Sequence, residues 1–221
     1  MTGRADRPSY TVLPVAADFR PGDPDASFSA LPPLSVGHYL WLDNGYQPKV
    51  EARLGWTRAF LYVRFRVEER RVRVRYTEFQ DPVYKDSCVE FFVDMFPEKR
   101  LGYVNFEANA MGTLLAAFGP DRSHRTPLWP EDLAGFEAWA SIPGPVEGEH
   151  GAAHWTLEYR VPLALFRKLY GAEIAPGHRA AANFYKCGDE TERAHYGAWS
   201  PVGTPGPDFH RPEFFGDLVF G

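Results

Sequence analysis

Tyr84-Lys85-Asp86-Ser87-Cys88-Val89-Glu90-Phe91-Phe92-Val93-Asp94 reads most naturally as the approach to a β-strand and the strand itself. Strand alternation puts Cys88, Glu90, Phe92 and Asp94 on one face and Val89, Phe91 and Val93 on the other. The apolar row belongs in a core. The opposite row carries carboxylates, which strands tend to avoid. The next strand candidate repeats the device, with Tyr103, Asn105, Glu107 and Asn109 alternating against Val104, Phe106 and Ala108. Two neighbouring polar rows make a sheet face built to meet something.

The same period of two recurs along the chain. Ala59, Leu61, Val63, Phe65 and Val67 oppose Arg58, Tyr62, Arg64, Arg66 and Glu68, and Trp155, Leu157, Tyr159 and Val161 form a further apolar row. Other strand candidates fall near 10–16, 48–55, 72–78, 113–118, 136–142, 179–187 and 214–220, punctuated by 20 Gly and 20 Pro. Pro162 to Tyr170 is the one helix expected, opened by Pro, with Leu165 and Leu169 on one face and Gly171 closing it. The expected fold is all-β, an antiparallel β-sandwich of jelly-roll type with one short connector helix. The 221 residues fit a single domain, 1–221, with 1–9 expected to be flexible.

A net charge of −5 argues against a nucleic-acid partner. The basic run from Arg64 to Arg75 is interleaved with Phe65, Val67, Val72 and Val74 and reads as outward strand faces. No apolar stretch approaches a membrane span, and the N-terminus lacks a secretory apolar run, so the expectation is a soluble cytoplasmic protein, or an extracellular one if a leader preceded Met1. Cys88 and Cys187 are the only cysteines; buried free thiols and a single bridge both remain open.

Polar and aromatic residues crowd the C-terminal third, in Asn183-Phe184-Tyr185-Lys186-Cys187-Gly188-Asp189-Glu190, His195 to Pro201 and Phe209 to Gly216. Together with the 84–94 segment and Tyr103 to Asn109, these resemble the family 9 carbohydrate-binding modules and their stand-alone relatives, over roughly residues 35–221. The resemblance implies a DOMON-like β-sandwich of the kind appended to xylanases. In it a slot between two aromatic rings grips a mono- or oligosaccharide, xylan- or glucan-derived, without catalysis. It places the first clamp at Tyr84, where Trp is usual, and the second at Trp199. Asp86-Ser87-Cys88-Val89-Glu90 carries the motif, and Glu90 matches the glutamate that bonds sugar hydroxyls. A basic residue that assists in some members stands as Tyr103 or is missing.

The chemistry suits that role, since a pyranose offers C–H faces to flat rings and hydroxyls to directional partners. Glu90, Asn105, Asn183, Lys186, His210 and Arg211 are the candidate hydrogen-bonding residues, beside Tyr84 and Trp199; equally, the aromatics could be core and Arg211 could bridge Glu213. No catalytic residue is assigned. Glu90 and Glu107 are the pair that a glycoside hydrolase would use, and a protein-interaction module is a third reading. The family resemblance also implies a structural calcium ion in many members, for which Asp94, Asp189, Glu190 and the Asp43-Asn44-Gly45 turn offer oxygens without a calcium-loop spacing. His150 and His154 lack zinc-type spacing. Met95 and Met111 lie in no haem-ligand context, and no nucleophile-elbow pattern surrounds Ser200.

Overall fold

The computed structural model describes residues 7–23, 28–149 and 154–221. In chain order the strands among them are β1 (Ser9–Pro14), β2 (Leu34–Ser35), β3 (His38–Tyr39), β4 (Lys49–Trp56), β5 (Phe60–Glu68), β6 (Arg71–Val74), β7 (Cys88–Asp94) and β8 (Tyr103–Asn109). They continue as β9 (Leu114–Gly119), β10 (Thr126–Pro127), β11 (Glu137–Ala140), β12 (Val146–Glu149), β13 (Trp155–Pro162), β14 (Arg179–Cys187), β15 (Tyr196–Ala198) and β16 (Gly216–Phe220). The long strands coincide with the alternating segments of the sequence.

One layer runs β10-β9-β8-β7-β14-β16-β1 and the other β1-β4-β5-β13-β11. The shared strand departs from the antiparallel rule. Ser9 to Val12 pair in parallel with Asp217 to Phe220, and then Leu13 and Pro14 pair in parallel with Gly55 and Trp56, so one strand stitches the two layers together. Of the segment expected to be flexible, Ser9 opens β1, while 1–6 lie outside the described residues, as does His150.

Between the layers the apolar rows interdigitate. Phe184 of β14 meets Phe65 of β5 at 6.1 Å between ring centroids, and Phe106 of β8 meets Tyr159 of β13 at 6.4 Å. Val89, Phe91 and Val93 are buried in this core, each such side chain contributing about 1.5–3 kcal/mol relative to exposure. The helix α1 (Leu163–Tyr170) begins one residue after Pro162, which serves as its N-cap, and ends at Gly171, whose φ of 65° is the left-handed conformation glycine accepts without strain. Among the described residues no helix is long and apolar enough to cross a membrane.

The outer faces are more covered than alternation implies. Tyr62, expected outward, is buried against Phe19, Phe28 and Leu31. On the first layer Phe92, Tyr103 and Tyr185 are roofed by Val83, Val202, Phe209 and Phe215, contributed by turns and loops. The polar rows are thus closed over along most of their length. At the β7–β8–β14 end they meet a cleft.

Candidate functional site

Register sets the cleft floor. Glu90 of β7 stands opposite Glu107 of β8 and opposite Tyr185 of β14, and Cys88 stands opposite Cys187. Glu90, Glu107 and Cys187 line a cleft of about 250 Å³, with Tyr84 on its wall. Glu90 is 3% and Glu107 4% exposed.

The wall segments are held by buried polar groups. Asp86 accepts hydrogen bonds from the Arg73 guanidinium (2.7 Å), the Asn109 amide (3.0 Å) and the backbone amides of Arg75 (2.9 Å) and Tyr76 (3.0 Å). Ser87 Oγ accepts from the Arg73 amide at 3.2 Å. The first half of the Asp86 to Glu90 motif is therefore structural, fixing the short 3₁₀ turn Val83–Lys85 that carries Tyr84. Arg73, expected on an outward face, is buried for the same reason, and its second arm reaches Glu190 at 2.8 Å. The loop after β14 is tied to this turn, the amides of Asp189 and Glu190 donating to the carbonyls of Tyr84 and Lys85.

The opposite rim comes from two loops that carry no strand periodicity. Asp121 caps its own turn by accepting from the amides of Ser123 (2.8 Å) and His124 (3.0 Å). That turn leads into Arg125, and Arg122 donates to Asp208 at 3.0 Å, joining the loop to Pro207-Asp208-Phe209-His210. Close approach at the base requires glycine: a Cβ on Gly119 would lie 2.1 Å from the His124 carbonyl oxygen, and one on Gly102, at φ +114°, 2.3 Å from Gly119. Arg122, Arg125, Asp189, Tyr196 and Phe209 join the cleft lining; none of them was expected to touch a sugar, and Asp189 was considered only as an oxygen for calcium.

The floor favours uncharged acids. Burial pushes the Glu107 carboxyl up to about 7 against the opposing pull of Arg125 and the Asn105 amide. Burial, then the neighbouring Cys187 and Glu107, raises Glu90 well above the usual carboxylate range. Asp189 is raised by burial as well. His210 is held down to about 3 by burial and by Arg125 and Arg122, so its ring is neutral at pH 7, with Nδ1 2.8 Å from the Tyr103 hydroxyl. The cleft thus presents hydrogen-bonding groups of both senses, two guanidinium groups and several aromatic edges.

Of the eight residues expected to bind ligand, Tyr84, Glu90 and His210 line the cleft, while Asn105 sits beside it, its amide bonded to Glu107 at 3.0 Å. The other four are engaged elsewhere. Asn183 is fully buried, its amide donating to the Ser200 carbonyl at 2.8 Å and its oxygen accepting from the amides of Ser200 and Phe184 at 2.9 Å, so it clips β14 to the segment that follows β15. Lys186 points to the opposite face of β14. There Nζ lies 3.3 Å from Glu69 and 2.8 Å from His195 Nε2, all three buried. Trp199 packs edge-on against Phe184 in the inter-layer core, 5.6 Å between centroids, beside Gly216, and cannot serve as the second clamp from there. Arg211 lies along Glu213 at 2.5 Å on the surface.

Cys88 and Cys187 are free thiols. The oxygens considered for calcium do not converge: Asp94 lies at the far end of β7, Glu190 is paired with Arg73 and Lys85, and Asp189 faces the cleft. Those residues do not fit a calcium ion. Among the described residues one group of three His, Cys, Asp or Glu side chains lies within ligand-sharing distance, namely Cys88, Glu90 and Cys187.

Comparison with known proteins places this geometry in a family. The model of carbohydrate-binding family 9 matches residues 27–220. A protein from Bacteroides uniformis, described as a candidate carbohydrate-binding protein, shares 30% identity at a TM-score of 0.86, covering 98% of this chain and 100% of its own. Two structures of a family 9 module from Caldicellulosiruptor kristjanssonii, one with glucose and one with cellotriose, share the fold at 14% identity. Their TM-scores are 0.64 and 0.62, covering 97% and 96% of this chain and 96% and 93% of theirs. Among curated proteins none matches the sequence. With its sandwich, its motif strand and a family match across nearly the whole chain, the protein belongs to carbohydrate-binding family 9.

Proposed function

We propose that the cleft between Tyr84 and the Pro207 to His210 loop binds a small saccharide, a monosaccharide or the terminal unit of an oligosaccharide, without cleaving it. The observation that carries this reading is the buried polar floor of Glu90 and Glu107 beneath an aromatic-lined cleft. A sugar ring needs apolar faces against its C–H groups and directional partners for its hydroxyls. Tyr84, Tyr196 and Phe209 supply the first, and Glu90, Glu107, Asp189, His210 and Arg125 the second. One terminal ring fits a cleft of about 250 Å³ better than a chain interior does, since ligand pockets usually run from roughly 300 to 1,000 Å³.

Hydrolysis requires carboxyl groups flanking the scissile bond. Glu90 and Glu107 instead sit side by side in register on one floor, which supports binding alone. A protein-docking role has less support, because the exposed large apolar side chains Leu42, Leu101, Trp129 and Trp139 come from four separate segments.

Calorimetric titration with glucose, xylose and short cello- and xylo-oligosaccharides, with reducing ends assayed in the same mixtures, tests the reading. Saturable heat in the millimolar to micromolar range, about 4 to 8 kcal/mol, without new reducing ends is expected. Loss of that heat in Tyr84→Ala with the fold intact would place the ligand in this cleft. No heat with any sugar, or released product, would overturn the proposal.

A further inference from the structure

We infer that Cys88, Cys187 and Glu90 form a binding site for a zinc-class divalent cation beneath the cleft, with a fourth coordination position open towards it. Strand register makes the set: Cys88 and Glu90 are two residues apart on one face of β7, and Cys187 of β14 lies directly across from Cys88. Their ligand atoms all lie within 4.8 Å of one another, and the Cys187 thiol is 3.1 Å from Glu90 Oε1. A tetrahedral zinc ion with sulfur at about 2.3 Å and oxygen at about 2.1 Å separates its ligand atoms by about 3.6–3.8 Å. The separations in the set, from 3.1 Å up to no more than 4.8 Å, bracket that spacing.

The donor set selects the metal. Two thiols and one carboxylate suit zinc or a similarly thiophilic cation and exclude the all-oxygen shells of calcium and magnesium. Three protein ligands with one position facing a solvent-accessible space is the arrangement of an open zinc site rather than a closed four-ligand one. Cys187 and Glu90 line the cleft and give the ion a route in, whereas Cys88 is fully buried behind them. Lys186, the charged neighbour of Cys187 in sequence, is committed to Glu69 and His195 on the other side of β14 and does not compete for these ligands. Metal uptake exchanges ligand protons for one dication, so affinity rises with pH. None of this depends on the saccharide reading.

The test uses the full-length, reduced, metal-free protein titrated with cobalt(II) and then zinc(II). The expected result is a near-ultraviolet sulfur-to-cobalt charge-transfer band that saturates at one cobalt per chain and is bleached by zinc. Cys88→Ser and Cys187→Ser should each cut the band to about half or less, the double variant should abolish it, and Glu90→Gln should weaken cobalt binding on the order of tenfold or more. Should the cysteine variants fail to fold, the cadmium-113 resonance of the wild-type protein reports the ligands directly, and a shift in the range of two sulfur donors is expected. A wild-type protein with no cobalt band, a cadmium resonance typical of oxygen ligands only, or a band undiminished in both folded serine variants would overturn the site.

Discussion

Phe209 lies flat on Tyr185: the ring centroids are 4.0 Å apart, the planes are 12° from parallel, and the Tyr185 hydroxyl donates to the Phe209 carbonyl at 3.0 Å. Two different interactions thus join the outer face of β14 to the loop that forms one wall of the cleft. Tyr185→Phe keeps the stack and removes the bond, leaving the Phe209 carbonyl without that donor. The expected cost is about 1 kcal/mol of stability, read as a lower urea midpoint at unchanged slope. Saccharide affinity should fall further than this modest destabilisation implies, because the loop carrying His210 loses one of its anchors to β14, and calorimetry on the folded variant checks it.

Lys186 presents the opposite case. Its ammonium group is buried with Glu69 and His195, and Trp155 Nε1 and the Tyr46 hydroxyl also bond Glu69, at 3.1 and 3.3 Å. Lys186→Met leaves a buried carboxylate without its cation and is expected to destabilise by about 3–5 kcal/mol. Adding Glu69→Gln should restore much of that loss. In whichever variant stays folded, saccharide affinity should match the wild type. A specific loss of affinity without loss of stability would return Lys186 to the binding residues.

Alternation made the long strands legible because each has one apolar face, and Val89, Phe91 and Val93 or Trp155, Leu157 and Tyr159 declare it directly. It also separates Asn183, Tyr185 and Cys187 from Phe184 and Lys186, so the inward course of Lys186 was readable in principle. Proximity to the motif masked it. Period two says which way a side chain points but not what covers it, which is why Tyr62 and Tyr185 turn out buried on faces that alternation alone leaves open. Arg122, Arg125 and Phe209 reach the cleft from loops whose course depends on caps such as Asp121 and on close approaches such as Gly119 to His124. No local pattern announces those.

Trp199 separates a clamp from a core residue experimentally. Its ring fills the space left by the missing side chain of Gly216, where a Cβ would come within 2.6 Å of the indole. Trp199→Ala is therefore expected to cost about 3–5 kcal/mol of stability, as a buried aromatic does. Saccharide affinity of the molecules that remain folded should be little changed. Gly216→Ala should destabilise too, because the added methyl group meets both the Trp199 ring and the Pro8 carbonyl oxygen. Thermal unfolding beside calorimetry at a temperature well below the transition distinguishes the roles.

Asp94 gives stability a pH dependence of definite sign. Burial raises its carboxyl from 3.8 to about 6, despite the bond it accepts from the Phe96 amide at 3.2 Å. The folded state therefore holds this proton more tightly than the unfolded chain does. Its contribution is full below the unfolded value of about 4 and is lost as pH rises through about 6, after which the penalty is constant. His195 and His210, held down to about 2 and about 3, act in the reverse sense, weakening the fold as pH falls below about 6.5. Asp94→Asn keeps an oxygen for the Phe96 amide and removes only the Asp94 titration, so the histidine contributions cancel between the two proteins. The difference in melting temperature, variant minus wild type, should grow between about pH 4 and pH 7 and level off above that. A difference that is flat across this range, or that shrinks as pH rises, would mean that Asp94 ionises in the folded protein as it does in the unfolded chain.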